Sequence, residues 1–326
     1  TERGVANTGG QTLVTNGAQH GMDLIFRLLL SPGERVLTEL PTYPGALDAI
    51  RAHGGRVLAM PFAADGSWDV ATVSSTLVQT SPRLALLMPD FNNPTGVLIG
   101  TAQRRAVLAA ARRAGSTVVV DESFVELDLR QPAPTEPEPF ALPMAALDAG
   151  VLSIGSLSKP IWGGLRIGWI RASEDTVARL AILRAQADMS GSVFDQLLAC
   201  DVLEDFARIV AGRRGELRVR RAALLDALAD QLPQWQASQP AGGMSSWVRL
   251  DAPAATALTH LLEQRGILIT PGSRFAVDAG LERYLRIPYA LPAETLRHAV
   301  GVIAQAWFDL DRSRLRRPES AALVPA

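Results

Sequence analysis

Seven short runs of β-branched and aliphatic residues, most followed by a longer stretch with apolar residues at helical spacing, restrict this chain to an α/β architecture. The runs lie at residues 12–15, 35–38, 56–60, 84–88, 117–121, 151–155 and 166–171, and helices are expected at 18–30, 45–53 and 101–114 among others. Alternation of this kind builds a mostly parallel sheet with crossover helices on its faces. After residue 174 the texture changes to long helices, one over 207–232. There follow Gly242-Gly243, a segment at 245–250, a helix at 254–266, strands near Ile267 and Tyr284, and a helix at 292–310. The division expected is a large α/β domain over 1–210 and, over 211–326, a long helix with a smaller α+β domain.

Three segments carry further expectations. The helix at 207–232 holds Arg213, Arg214, Arg218, Arg220 and Arg221 with Glu216 among them, which reads as a solvated face. Residues 131–143 include five prolines between two strand runs and read as an extended surface loop. The tail after Arg317 is expected to fray. The chain opens on Thr1-Glu2-Arg3-Gly4 without methionine, so a preceding segment is expected.

Composition narrows the function classes. With 48% hydrophobic and 20% charged residues the balance is globular, and 32 basic against 33 acidic residues leave a net charge of -1. No positive field attracts nucleic acid or an anionic membrane. No run approaches the roughly 18 apolar residues that span a bilayer, and no basic-then-apolar leader opens the chain, so a cytoplasmic setting is expected. Cys200, the one cysteine, is expected as a small core hydrophobe on a helix. His20, His53, His260 and His298 are scattered, so no metal site is expected.

Of the 32 basic residues a single one, Lys159, is a lysine. Arginine supplies surface charge equally well, but its guanidinium stays protonated, whereas a lysine amine can lose its proton and attack a carbonyl. Covalent chemistry therefore points to Lys159, although an arginine-biased composition could leave one lysine by chance. Its surroundings add weight. Gly155-Ser156-Leu157-Ser158-Lys159-Pro160 follows the sixth run, so Lys159 sits at the carboxyl end of a strand, where open α/β sheets place their ligands. Ser156 and Ser158, two apart in extended chain, would point their hydroxyls alike, and Arg166 offers a planar fork suited to phosphate. Asn16-Gly17-Ala18-Gln19, between the first run and its helix, directs backbone amides at an anion, worth about 0.3–1 kcal/mol per exposed charge. Taken alone, that turn is no more than any strand-to-helix junction offers.

Asp121 ends the fifth run, Asn93 lies in Asn93-Pro94-Thr95-Gly96, and Tyr43 lies in Pro41-Thr42-Tyr43-Pro44. Separately these are a strand-end acid, a turn and a packing aromatic. Together with the lysine they match the needs of a pyridine aldehyde cofactor: an amine, an acid for the ring nitrogen, an amide for the ring hydroxyl, a flat neighbour and a phosphate cup.

These motifs, in this order, resemble the fold type I pyridoxal 5'-phosphate-dependent aminotransferases of class I and II. The resemblance covers nearly the whole chain and implies a large domain with a mostly parallel seven-stranded sheet plus a smaller C-terminal α+β domain. It implies that Lys159 links to the cofactor aldehyde as an imine, that Asp121 pairs with the ring nitrogen, that Asn93 bonds the ring oxygen and that Tyr43 stacks, with Lys159, Asp121 and Tyr43 as the catalytic set. Gly17, Ala18, Gln19, Ser156, Ser158 and Arg166 would hold the phosphate. Asn93 and Arg286, the latter in Tyr284-Leu285-Arg286-Ile287-Pro288, would face the substrate, Arg286 clamping its α-carboxylate. Where the family usually has a tyrosine this chain has Phe124, which weakens the hold on the ring oxygen by roughly 0.5–1.5 kcal/mol and raises the basicity of the imine.

The blend of Pro89-Asp90-Phe91-Asn92-Asn93-Pro94-Thr95-Gly96, Asp121-Glu122-Ser123-Phe124 and Ser158-Lys159-Pro160-Ile161-Trp162-Gly163-Gly164 looks most like the aminotransferase-like half of MocR-type regulators of the GntR group. That likeness implies a domain that senses a small amine or amino acid through exchange at Lys159, any DNA contact being left to an upstream winged-helix module. The alternative is a stand-alone aminotransferase working between an amino acid and a 2-oxo acid; a lyase on the same scaffold is a third reading. Either of the first two implies a homodimer.

Overall fold

The computed structural model describes residues 4–5, 7–63, 66–130, 141–278 and 280–315. The proline-rich stretch at 131–140 and the tail after Arg317 lie outside the described residues. The chain divides into two compact units, one within Thr1–Glu216, Pro240–Met244 and Phe275–Val277, the other within Leu217–Gln239, Ser245–Arg274 and Asp278–Ala326.

The first unit is built on seven strands: β1 (Thr12–Thr15), β2 (Arg35–Leu40), β3 (Arg56–Pro61), β4 (Leu84–Leu87), β5 (Thr117–Asp121), β6 (Leu152–Ser156) and β7 (Gly168–Arg171). Their order is β1-β7-β6-β5-β4-β2-β3. β6, β5, β4, β2 and β3 pair in parallel, while β7 runs antiparallel to both β6 and β1. The reversal has a consequence for the site. The start of β7 lies at the sheet edge where the other strands end.

Side-chain alternation gives the sheet two buried faces. Val36, Leu84, Leu86, Val119, Ile154 and Ile170 pack with Leu24, Ile25 and Phe26 of α1 (Ala18–Leu29) and with Ile50 of α2 (Pro44–Ala52). Leu37, Ala85, Leu87, Val118 and Val120 pack on the other face with Val73 of α3 (Val70–Thr80), Val107 of α4 (Thr101–Ala114) and Met144 of α5 (Met144–Leu147). Each such aliphatic side chain contributes about 1.5–3 kcal/mol on burial, so the two faces fix the register firmly.

The unit continues through α6 (Glu174–Ala187) and α7 (Val193–Glu204) into α8 (Phe206–Gln231), within which the division between units falls. Cys200 corrects the expectation of a core residue: it is exposed on α7, a helix with Ala199 as its buried residue. Arg213, Arg214, Arg218, Arg220 and Arg221 of α8 are half-buried rather than a solvated face. Arg214 donates to the Glu126 carbonyl at 2.6 Å, Arg213 pairs with Glu216 at 3.4 Å, and, in the second unit, Arg220 donates to the Ala290 carbonyl at 2.8 Å.

The second unit carries β8 (Gln236–Ala237), β9 (Ser245–Arg249), α9 (Ala255–Glu263), β10 (Thr270–Pro271), β11 (Tyr284–Pro288) and α10 (Ala293–Leu315). The strands form an antiparallel sheet in the order β10-β11-β9-β8. The strand expected near Ile267 begins at Thr270, because the Ile267 N–H instead bonds the Leu262 carbonyl and finishes the turn after α9.

Candidate functional site

The carboxyl ends of the strands converge on a cavity of about 170 Å³ in the first unit, lined by residues from these strand ends and the adjoining α1. β5 delivers Asp121, the turn after β6 delivers Ser158 and Lys159, the segment after β4 delivers Met88 and Asn93, and the residue capping α2 is Tyr43. α1 contributes Ala18, Gln19 and Met22, and Arg166, two residues before the reversed β7, completes the wall. Nine sequence-predicted residues thus meet here: Ala18, Gln19, Tyr43, Asn93, Asp121, Ser156, Ser158, Lys159 and Arg166. Gly17 stands beside them, against Arg166. Arg286 belongs to the second unit, half-buried on β11 opposite Trp247 and Thr270, where the Trp247 and Tyr284 rings stack 5.1 Å apart.

Two local geometries differ from the sequence reading. β7 begins at Gly168, not at residue 166, because Arg166 turns into the left-handed region (φ 53) and closes a short helical turn at Gly163–Leu165. Its guanidinium then donates to the Asn16 carbonyl at 3.0 Å. Ser158 lies in a turn rather than in extended chain, and its N–H donates to the Ser156 hydroxyl oxygen at 3.1 Å.

Glycine is required at the turn after β1. Gly17 has φ 85, and a Cβ there would stand 2.6 Å from Arg166 Nη2. Gly168 lets two backbones meet, since a Cβ on it would stand 2.8 Å from Gly17 Cα and from the Gly155 carbonyl. Not every amide of the turn is free, however: the Asn16 N–H donates to His20 Nδ1 at 3.1 Å. Burial holds His20 below the usual histidine range despite Asp188 nearby, which suits a ring nitrogen that accepts.

Asp121 is 6% exposed, and burial pushes its carboxyl above the usual range. The Ser123 N–H, donating at 2.8 Å, and the charge of Lys159 pull the other way. A cation placed against this carboxyl would complete the pull and hold it ionised. Lys159 places Nζ 6.0 Å from the centroid of the Phe124 ring, which is buried against the cavity.

Pyridoxal 5'-phosphate fits this donor set. Among the described residues, Gln19 Oε1, Asn93 Oδ1 and Ser158 Oγ are buried without a hydrogen-bond partner, and all three residues line the cavity. Buried polar atoms are normally paired, so three orphans around one hollow mark a place for a polar ligand. Met22, Met88 and Ser123 also line it and were not singled out from sequence; a methionine in a helix or at a strand end carries no signal that separates it from core. A larger cavity of about 550 Å³ shares Ser123 and Ser156 but is lined mainly by apolar residues such as Val14, Leu157 and Phe206. It holds no amine, so size is a poorer guide to the chemistry here than the charged set around Lys159.

Comparison with known proteins decides the family. The model of the aminotransferase class I and II family matches residues 2–303. The chain belongs to the class I and II aminotransferases. Members of that family are pyridoxal-phosphate dependent, and the fold is fold type I, as read from the motifs. A 2-aminoadipate transaminase of Thermus thermophilus is 31% identical over 300 residues, covering 91% of this chain and 75% of that protein. The crystal structure of LysN, an α-aminoadipate aminotransferase of Thermus thermophilus complexed with N-(5'-phosphopyridoxyl)-L-leucine, superimposes with a TM-score of 0.85 at 29% identity, over 93% of this chain and 78% of that one. The HTH-type transcriptional regulator TauR of Rhodobacter capsulatus is 31% identical over 299 residues, which are 88% of this chain but 58% of the regulator. Aminotransferase-like domains of both enzymes and regulators are therefore among its relatives.

Proposed function

We propose that this domain binds pyridoxal 5'-phosphate at Lys159 and exchanges it onto a small amino acid or amine, serving as the effector-sensing half of a MocR-type regulator. The observation that carries the reading is the meeting of Lys159, Asp121, Asn93 and three unpartnered buried polar atoms around one cavity. The cofactor, when bound, supplies an aldehyde that takes up an amine and a ring that draws electrons from the neighbouring carbon.

The chain's own residues do the rest. Lys159 Nζ would hold the cofactor at its aldehyde carbon and, when free, could carry a proton. Asp121 would keep a proton on the ring nitrogen, Asn93 would offer its carboxamide to the ring, Tyr43 would pack against it, and Gly17, Ala18, Gln19, Ser156, Ser158 and Arg166 would receive the phosphate. Arg286 is assigned to the substrate carboxylate on sequence resemblance.

Phe124 favours sensing over rapid turnover, since it offers no hydroxyl to the ring oxygen. Stand-alone transamination is the second reading, favoured by the match to 2-aminoadipate transaminase across 75% of that enzyme. Homodimerisation is supported by the apolar side chains that α7 leaves open, Val193 at 66%, Phe194 at 75% and Leu197 at 65% exposure, a patch typical of contact surfaces. A cytoplasmic setting is proposed with it; no helix among the described residues is long and apolar enough to cross a membrane. Single-turnover spectroscopy with a panel of amino acids and amines separates the two readings. Spectral change with one equivalent and no sustained turnover on adding a 2-oxo acid supports sensing; rapid multiple turnovers support the enzyme.

A further inference from the structure

Glu39, next to last in β2 and 1% exposed, takes no part in the chemistry above. Alternation along the strand assigns its face: Leu37 packs with Leu87 and Val120 on one side of the sheet, and Glu39, two residues on, shares that side. Asp121 shares the parity of Val119, which packs with Val36 and Leu86 on the opposite side. β4 runs between them, Thr38 pairing with Leu86 and Leu86 with Val119. Two acids therefore flank the end of one strand from opposite faces.

The contacts of Glu39 lead to the cavity. Its Oε1 accepts the Met88 N–H at 2.8 Å, where β4 has just ended. Met88 Sδ in turn accepts the Asn93 N–H at 3.0 Å. Met88 and Asn93 both line the cofactor cavity, and Asn93 Oδ1 is one of its three unpartnered atoms. A leucine would fill this position without the cost of burying an acid, which pushes Glu39 up to about 7, the Asp121 charge adding to the effect of burial. What a leucine lacks is an acceptor for the Met88 N–H.

We propose that Glu39 is a positioning residue of the cofactor site: from behind the sheet it fastens the end of β4 through the Met88 N–H, and Met88 in turn fastens Asn93 at the cavity wall. The link to cofactor affinity rests on the pyridoxal-phosphate reading; the hold on Met88 does not.

The test compares wild type, Glu39→Gln and Glu39→Leu in two measurements, hydrogen exchange of the ligand-free protein over residues 84–99 and absorbance titration with pyridoxal 5'-phosphate. Glutamine keeps an acceptor oxygen and leucine removes it. Expected are exchange faster by roughly tenfold or more and a dissociation constant raised by a similar factor in Glu39→Leu, with Glu39→Gln within about threefold of wild type in both. If Glu39→Leu does not fold, Met88→Leu carries the test of the second link, since it removes the sulfur acceptor and keeps the Met88 N–H on Glu39: exchange at Asn93 should quicken while that at Met88 stays as in wild type, and the dissociation constant should rise. Unchanged affinity in a folded Glu39→Leu with altered exchange, or equal behaviour of the glutamine and leucine variants, overturns the proposal. A wild-type chain that takes up no pyridoxal phosphate overturns the cofactor reading instead, and the exchange measurement still decides whether Glu39 holds Met88.

Discussion

Lys159 Nζ lies 6.0 Å from the centroid of the buried Phe124 ring, so the lone amine of this chain faces a hydrocarbon surface where the family usually presents a phenol. An aromatic face attracts a cation weakly at this distance but accepts and donates no hydrogen bond. Phe124→Tyr is expected to tighten cofactor binding by about 0.5–1.5 kcal/mol, a factor of roughly two to twelve, by restoring a hydroxyl toward the ring oxygen. Absorbance titration checks it; equal affinity in both forms means that the ring oxygen lies out of reach of residue 124.

Asp121→Asn keeps the shape of the strand end and removes the charge that holds a proton on the ring nitrogen. Amine exchange with an amino acid should slow by roughly 10²-fold or more in a variant that still folds. Stopped-flow absorbance measures the exchange, and an undiminished rate contradicts the pairing.

Gly17→Ala places a Cβ 2.6 Å from Arg166 Nη2 on a backbone at φ 85. Left-handed strain and the displaced guanidinium together should cost more than about 1 kcal/mol in urea unfolding. The same change should weaken cofactor uptake, since it disturbs the turn and Arg166 at once. A variant matching wild type in both respects removes this turn from the phosphate site.

Glu39 gives the ligand-free protein a defined pH dependence. Its carboxyl rises from an ordinary 4.5 to about 7 on folding, chiefly through burial. Between those values the folded chain holds a proton that the unfolded chain has lost, so rising pH favours unfolding. The loss, on the order of 3 kcal/mol, is absent below about pH 4.5 and complete above about pH 7. Asp121, also raised by burial, adds in the same direction. Unfolding free energy measured across this interval should fall in wild type and flatten in Glu39→Gln; identical slopes contradict the assignment.

Much of this was legible in the sequence because the physics is local. Strands β1 and β5 and helix α4 begin and end where β-branched runs and helical spacing place them. Lys159 stood out by being the one amine, and Asp121 by closing a strand of valines. What the sequence did not carry was set by tertiary contact. Arg166 leaves the strand conformation to reach Asn16, and Ser158 turns to use the Ser156 hydroxyl. Cys200 looked like core in an apolar run, yet α7 turns most of that run outward. Glu39 was invisible for another reason: an acid in a strand reads as solvent-facing until helices are seen to cover both faces of the sheet.

Attachment of the cofactor to Lys159 underlies every other role assigned to the site, and borohydride reduction of the pyridoxal-phosphate-loaded protein followed by peptide mass spectrometry tests it most directly. Expected are one phosphopyridoxyl group, found on the peptide that contains Lys159, and loss of both the label and the visible absorbance in a folded Lys159→Arg variant. A wild-type protein that stays unlabelled, or a folded Lys159→Arg variant that keeps the visible absorbance after reduction and dialysis, contradicts it.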